Sequence, residues 1–159
     1  MMTTAISPRT ISTSLLLCLS AVANAIDYPR LLPVVSQIES SGNPQAVGDG
    51  RKARGLFQFH EDAWVQASKV RRMSGQRIYP YSYAHDPYVS NLYAEAYLGW
   101  LAKNLRLRLG REPSHWEVYA SFNRGLAGFA DLDYKFSKLP KHTQRSCRLI
   151  ATTFNENLK

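Results

Sequence analysis

The sequence predicts a mainly α-helical domain, and three observations carry that expectation. Leu31, Leu32, Val34, Val35 and Ile38 recur at a spacing that gathers them on one face of a helix. Asp86-Pro87 places an N-cap acceptor before a proline at the first helical position, and Leu92, Ala96, Leu98, Leu101, Leu105 and Leu109 follow as an apolar stripe ended by Gly110. Ser114 and Glu117 have the spacing of a capping box, where each side chain satisfies the other's backbone N–H and so opens a further helix. A chain of 159 residues is long enough for one domain with a hydrophobic core and short for two, and no repeat or linker interrupts it. With 45% hydrophobic and 20% charged residues it reads as an ordinary globular protein rather than a disordered one.

Taken in order, the first helix begins near Pro29 or Pro33 and ends at Ser41-Gly42, which puts Glu39 on its last turn. Ser41-Gly42-Asn43-Pro44 is turn chemistry, and Gly48-Asp49-Gly50 with Arg51, Lys52 and Arg54 continues as a polar loop. Gly55-Leu56-Phe57-Gln58-Phe59 is too short and too apolar for its period to separate helix from strand. A helix is expected over 61–69, then a long loop over 71–84 containing Gly75, Pro80 and several tyrosines. The long helix from Pro87 comes next. The capping-box helix runs through Val118, Ala120 and Phe122 and closes at Gly125 and Gly128, and the last helix spans 141–157.

Residues 1–25 have a different grammar. Arg9 is their only charge, the run 11–23 is apolar or small, and Ala23-Asn24-Ala25 is a small-residue cleavage site, so this stretch predicts a secretory signal peptide removed after Ala25. Its apolar run is short of the ~18–20 residues a membrane-spanning helix needs, so no span is expected once it is removed. Export implies a periplasmic or secreted protein. The mature chain would keep Cys147 alone, without a disulfide partner, and the apolar spacing of Cys147, Ile150, Ala151 and Phe154 marks it as a buried structural thiol. A net charge of +8 suits nucleic acid, an anionic surface or an anionic polymer equally well, and export argues against nucleic acid. The four histidines are scattered without ligand spacing, so no metal and no cofactor is expected.

The most informative pattern is an ordered set: Glu39-Ser40-Ser41-Gly42-Asn43-Pro44, Gly55-Leu56-Phe57-Gln58, Asp86-Pro87 with Asn91-Leu92 and Tyr97-Leu98, and Ser121-Phe122-Asn123-Arg124-Gly125. In this order and with these gaps the chain resembles the lytic transglycosylase catalytic domain of the goose-lysozyme-like superfamily, over roughly residues 33–128. The resemblance implies a lysozyme-like helical domain with a substrate groove across residues 26–159, and peptidoglycan glycan strands as the partner. It implies cleavage of the MurNAc-GlcNAc β-1,4 bond with Glu39 as acid and then base, the N-acetyl group of the substrate assisting and the sugar's own 6-hydroxyl closing a 1,6-anhydromuramoyl end. It further implies that Ser40, Phe57, Gln58, Phe122 and Asn123 line the substrate.

The chemistry of Glu39 is legible without the resemblance. Cleaving a glycosidic bond requires a proton on the leaving oxygen, and a carboxyl at a helix C-terminus beside Leu56 and Phe57 has its charged form disfavoured. Asp49, Glu61 and Asp62 lie in polar stretches where a solvated charge is the default, so no second catalytic carboxylate is expected. Phe122 departs from the family pattern, which has tyrosine there; the aromatic wall is kept and a hydroxyl is lost. A lysozyme-type hydrolase and an inactive peptidoglycan-binding module of the same fold therefore stay open, as does service to a cell-envelope assembly. The cluster Tyr79, Tyr81, Tyr83 and Tyr88 suits either stacking on sugars or packing of a loop on the long helix.

Overall fold

Capping chemistry sets the helices of the computed structural model, which describes residues 25–158. Asp27 accepts the Arg30 N–H at 3.2 Å and opens α1 (Tyr28–Ser40), with Pro29 in the first turn where no N–H is needed. Ser41 then turns left-handed, and the N–H groups of Ser41 and Gly42 return to Gln37 and Ser36, closing the helix just past Glu39. The polar loop folds into a two-stranded antiparallel hairpin, β1 (Val47–Gly48) and β2 (Ala53–Arg54). Gly55–Phe59 is a tight turn whose ends meet through an Arg54–Phe59 bridge. Gly55 has φ +74° and an added Cβ would lie 1.8 Å from the Ala84 carbonyl, so only glycine fits there.

Helix α2 (Glu61–Met73) outruns the expected 61–69 by a turn. Tertiary contact supplies the reason: Arg71 is buried, donates through Nε to the Arg77 carbonyl at 3.1 Å and lies over the Tyr93 ring. The loop after it contains a short 3-10 turn at Tyr81–His85. Helix α3 (Pro87–Leu109) starts and stops as expected, with Asp86 accepting the Val89 N–H at 2.8 Å and Gly110 left-handed. Helix α4 (His115–Ala130) opens on the Ser114–Glu117 capping box. Gly125 bends it, at φ 73° and ψ 156°, instead of ending it. Helix α5 (Lys141–Phe154) stops before the expected Asn157, with left-handed Asn155 as its cap.

Helix α3 runs through the core. Leu98, Leu101 and Leu105 are wholly buried along it, and Tyr93 stacks on Trp64 of α2 with ring centres 3.7 Å apart. Trp116 and Phe129 of α4 and Ile150 of α5 close the other side. Burying a leucine or phenylalanine stabilises by roughly 1.5–3 kcal/mol, so this layer of large side chains holds α1, α2, α4 and α5 around α3. Cys147 is a buried free thiol, and burial pushes its pKa up to about 12. Residues 1–24, nearly all of the expected leader, lie outside the described residues. No helix among the described residues is long and apolar enough to cross a membrane.

Candidate active site

Three elements bring the candidate residues together: the C-terminal end of α1, the Gly55–Phe59 turn, and the face of α4 that meets them. Glu39 is half-buried on the last turn of α1. Burial raises its carboxyl pKa above the usual value, and one hydrogen bond opposes this, donated by the Tyr119 hydroxyl to Oε1 at 2.9 Å. That phenol stays neutral, because its own burial and the nearby Glu39 carboxyl drive its pKa far upward. The result is a carboxyl with one oxygen held and a higher proton affinity than it would have in water.

Ser40 ties α1 to the turn. Its Oγ lies 3.1 Å from the Ser36 carbonyl and 2.9 Å from the Leu56 carbonyl, so a single hydroxyl joins the helix end to the segment carrying Phe57 and Gln58. Gln58 is held at φ +46°, a conformation that L side chains rarely adopt, and its Nε2 donates to the Gly55 carbonyl at 2.9 Å. Its Oε1 rests on Gly48 of β1, where an added Cβ would come within 2.4 Å. The amide thus folds back over its own turn and braces it against the hairpin.

Phe57 corrects an expectation. It was expected to line the substrate, but it is wholly buried in the core cluster and offers no face to a ligand. The alternation of the turn explains this, since Leu56 and Gln58 are half-buried while Phe57 and Phe59 both point inward. Phe122 is half-buried, edge-on to Phe59 and Tyr97 with ring centres 5.8 Å from each. Asn123 follows it on α4, and its Oδ1 accepts from the buried Thr143 hydroxyl of α5 at 2.9 Å, which fixes the amide plane.

Tyr119 is the residue that sequence reasoning missed. It lies 80 positions from Glu39 and within a buried run from His115 to Ser121, where it reads as core. A signal was present: it precedes Phe122 by three residues and hence lies on the same helical face. The tyrosine cluster divides. Tyr81 gives its hydroxyl to the hairpin and turn carbonyls of Lys52 and Phe59, and Tyr79 packs against the core. Tyr83 and Tyr88 are exposed.

The remaining carboxylates stand apart from Glu39. Asp49 is exposed and pairs with His60 at 3.3 Å, and Glu61 and Asp62 occupy the exposed first turn of α2. A cavity of about 630 Å³, lined by Tyr28, Gln66, Met73, Gly99, Trp100 and Leu107 among others, lies at the opposite end of α1. It contains none of the candidate residues. A family model described as a transglycosylase SLT domain matches residues 20–141. No curated protein matches the chain.

Proposed function

Since the chain belongs to the transglycosylase SLT domain family, we propose that it cleaves the MurNAc-GlcNAc β-1,4 bond of peptidoglycan as a lytic transglycosylase, with Glu39 as the single acid and base. The observation that carries this reading is the state of Glu39: drawn out of water, raised in pKa, and bonded to one neutral donor. In the forward step the protonated carboxyl gives its proton to the glycosidic oxygen as the bond to the muramoyl C1 breaks. The substrate N-acetyl oxygen stabilises the positive charge left at C1. Glu39, now a carboxylate, takes the proton of the 6-hydroxyl as that oxygen bonds to C1. The proton count closes, no water is consumed, and a 1,6-anhydromuramoyl end results.

Ser40, Gln58, Phe122 and Asn123 are assigned to the walls of this site. Asn123, its oxygen accepting from Thr143, is assigned the role of amide donor; Phe122 offers an aromatic face. Ser40 and Gln58 hold the turn beside Glu39 and so set the width of the site. The substrate places the working protein outside the cytoplasm, which agrees with the expected leader.

The products decide the reaction. Digests of purified peptidoglycan are expected to contain anhydromuramoyl fragments, lighter by one water than hydrolysis products, from the earliest times sampled by mass spectrometry. Reducing ends without anhydro species would replace this reading by hydrolysis. Sedimentation with the wall polymer but no turnover would make the protein a binding module.

A further inference from the structure

We propose that Tyr119 is a positioning residue for Glu39, holding Oε1 so that Oε2 alone carries and delivers the acid proton. This rests on the reading of Glu39 as the acid. Tyr119 is 2% exposed and its hydroxyl lies 2.9 Å from Oε1, the one side chain of the described residues hydrogen-bonded to that carboxyl. Tyr119 stands on α4, so this contact ties that helix to the end of α1. Four positions along α4 from Tyr119, Asn123 is anchored to α5 through Thr143.

The Tyr119 contact bears on Phe122. One turn along α4 from Tyr119, the ring at 122 packs edge-on against Phe59 and Tyr97. Oε1 already receives a phenol hydroxyl from 119, so orienting the carboxyl does not require a second one from 122. Tyr119 serves both halves of the reaction. A donor to Oε1 leaves Oε2 as the oxygen that is protonated before bond cleavage. It also stabilises the carboxylate formed once the proton has gone, which burial alone would disfavour.

Tyr119 is the titratable group that the described residues bring against Glu39. Tyr119→Phe removes a donor to the charged form, so the Glu39 pKa rises further. Because the acid form is the active one, the alkaline limb of the pH profile of kcat should move upward by roughly one pH unit. At the pH optimum kcat should fall about tenfold with KM unchanged.

The titration is read independently of turnover by carbon NMR of protein labelled at the glutamate carboxyls, with the Glu39 signal identified by its loss in Glu39→Gln. An upward shift in Tyr119→Phe supports the proposal even if no digestion product is found, in which case only the enzymatic reading fails. If Tyr119→Phe does not fold, protein made with fluorinated tyrosine carries the test, because the more acidic phenol donates more strongly and should shift the Glu39 titration downward. An unmoved Glu39 titration in the folded variant would overturn the proposal. So would a several-fold gain in kcat from Phe122→Tyr, which would show that the acid lacks a hydroxyl in the native protein.

Discussion

Glu39 and Glu117 are both carboxylates withdrawn from water against α4, and their surroundings are opposite in kind. The Glu117 side chain is 3% exposed and meets the Arg111 guanidinium through both terminal nitrogens, at 2.9 and 2.5 Å. It also accepts the backbone N–H and the hydroxyl of Ser114, at 2.8 and 2.9 Å. Glu39 meets one neutral phenol. A carboxylate that closes a helix end has its lone pairs filled and a cation beside it, so its charge is compensated and its proton affinity is of no use. Burial with a single neutral donor leaves the Glu39 charge uncompensated and raises its pKa, the condition that the proposed proton transfer calls for.

The strongest way to break this comparison is to neutralise each carboxyl in turn. Glu39→Gln should reduce turnover of peptidoglycan by at least about a thousandfold, since the amide keeps the shape and cannot donate an acid proton. Its circular dichroism and melting profile at neutral pH should still report the native fold. Glu117→Gln should do the reverse, weakening the capping box and the pairing with a half-exposed arginine by about 1–2 kcal/mol. A melting temperature lower by several degrees, with activity per folded molecule kept, is the expected result. Comparable loss of activity in a well-folded Glu117→Gln would erase the distinction.

A pH series sharpens the same contrast. Because the folded-state pKa of Glu39 lies above its unfolded value, its contribution to stability is fully present below the unfolded pKa and is lost as pH rises through the folded pKa. Glu39→Gln lacks that loss. The melting temperature of the variant minus that of the native protein should therefore increase from acid to neutral pH, and a flat difference would show that burial of Glu39 is energetically silent.

Smaller effects test the frame of the site. Ser40→Ala removes the link from α1 to the Leu56 carbonyl and should cost about 1 kcal/mol of stability, with a loss of turnover as the turn shifts relative to Glu39. Asp49→Asn is expected to change least, because its exposed pairing with His60 is worth within about 0.5 kcal/mol at such surfaces. Parallel melts and digests cover both variants. A large kinetic loss in Asp49→Asn would bring back a second catalytic carboxylate.

Much of the fold could be read before any coordinates, because its determinants are local. Asp86-Pro87, Gly110 and the Ser114–Glu117 pair act through backbone groups within a turn of themselves, and each sits where its chemistry requires. The reading erred where distant contacts overrode local preference. Arg71 reads as loop beside Gly75, yet burial over Tyr93 carries α2 to Met73. Gly125 reads as a helix end and is a bend inside α4. Phe57 reads as a wall of the site and lies in the core, since the period of a five-residue turn gives no warning of which side faces in.

The sequence by itself determined that Glu39 stands at the end of a helix, that Ser40 adjoins it, and that a phenylalanine occupies position 122. These follow from spacing and turn chemistry, which the chain encodes over a few residues. Only the tertiary structure decided what surrounds the carboxyl. Tyr119 reaches it across 80 residues because α4 packs near the end of α1, and Thr143 supports Asn123 because α5 packs on α4. A pKa depends on burial and on the partners within a few ångströms, and those distances come into being only when helices remote in sequence are packed together.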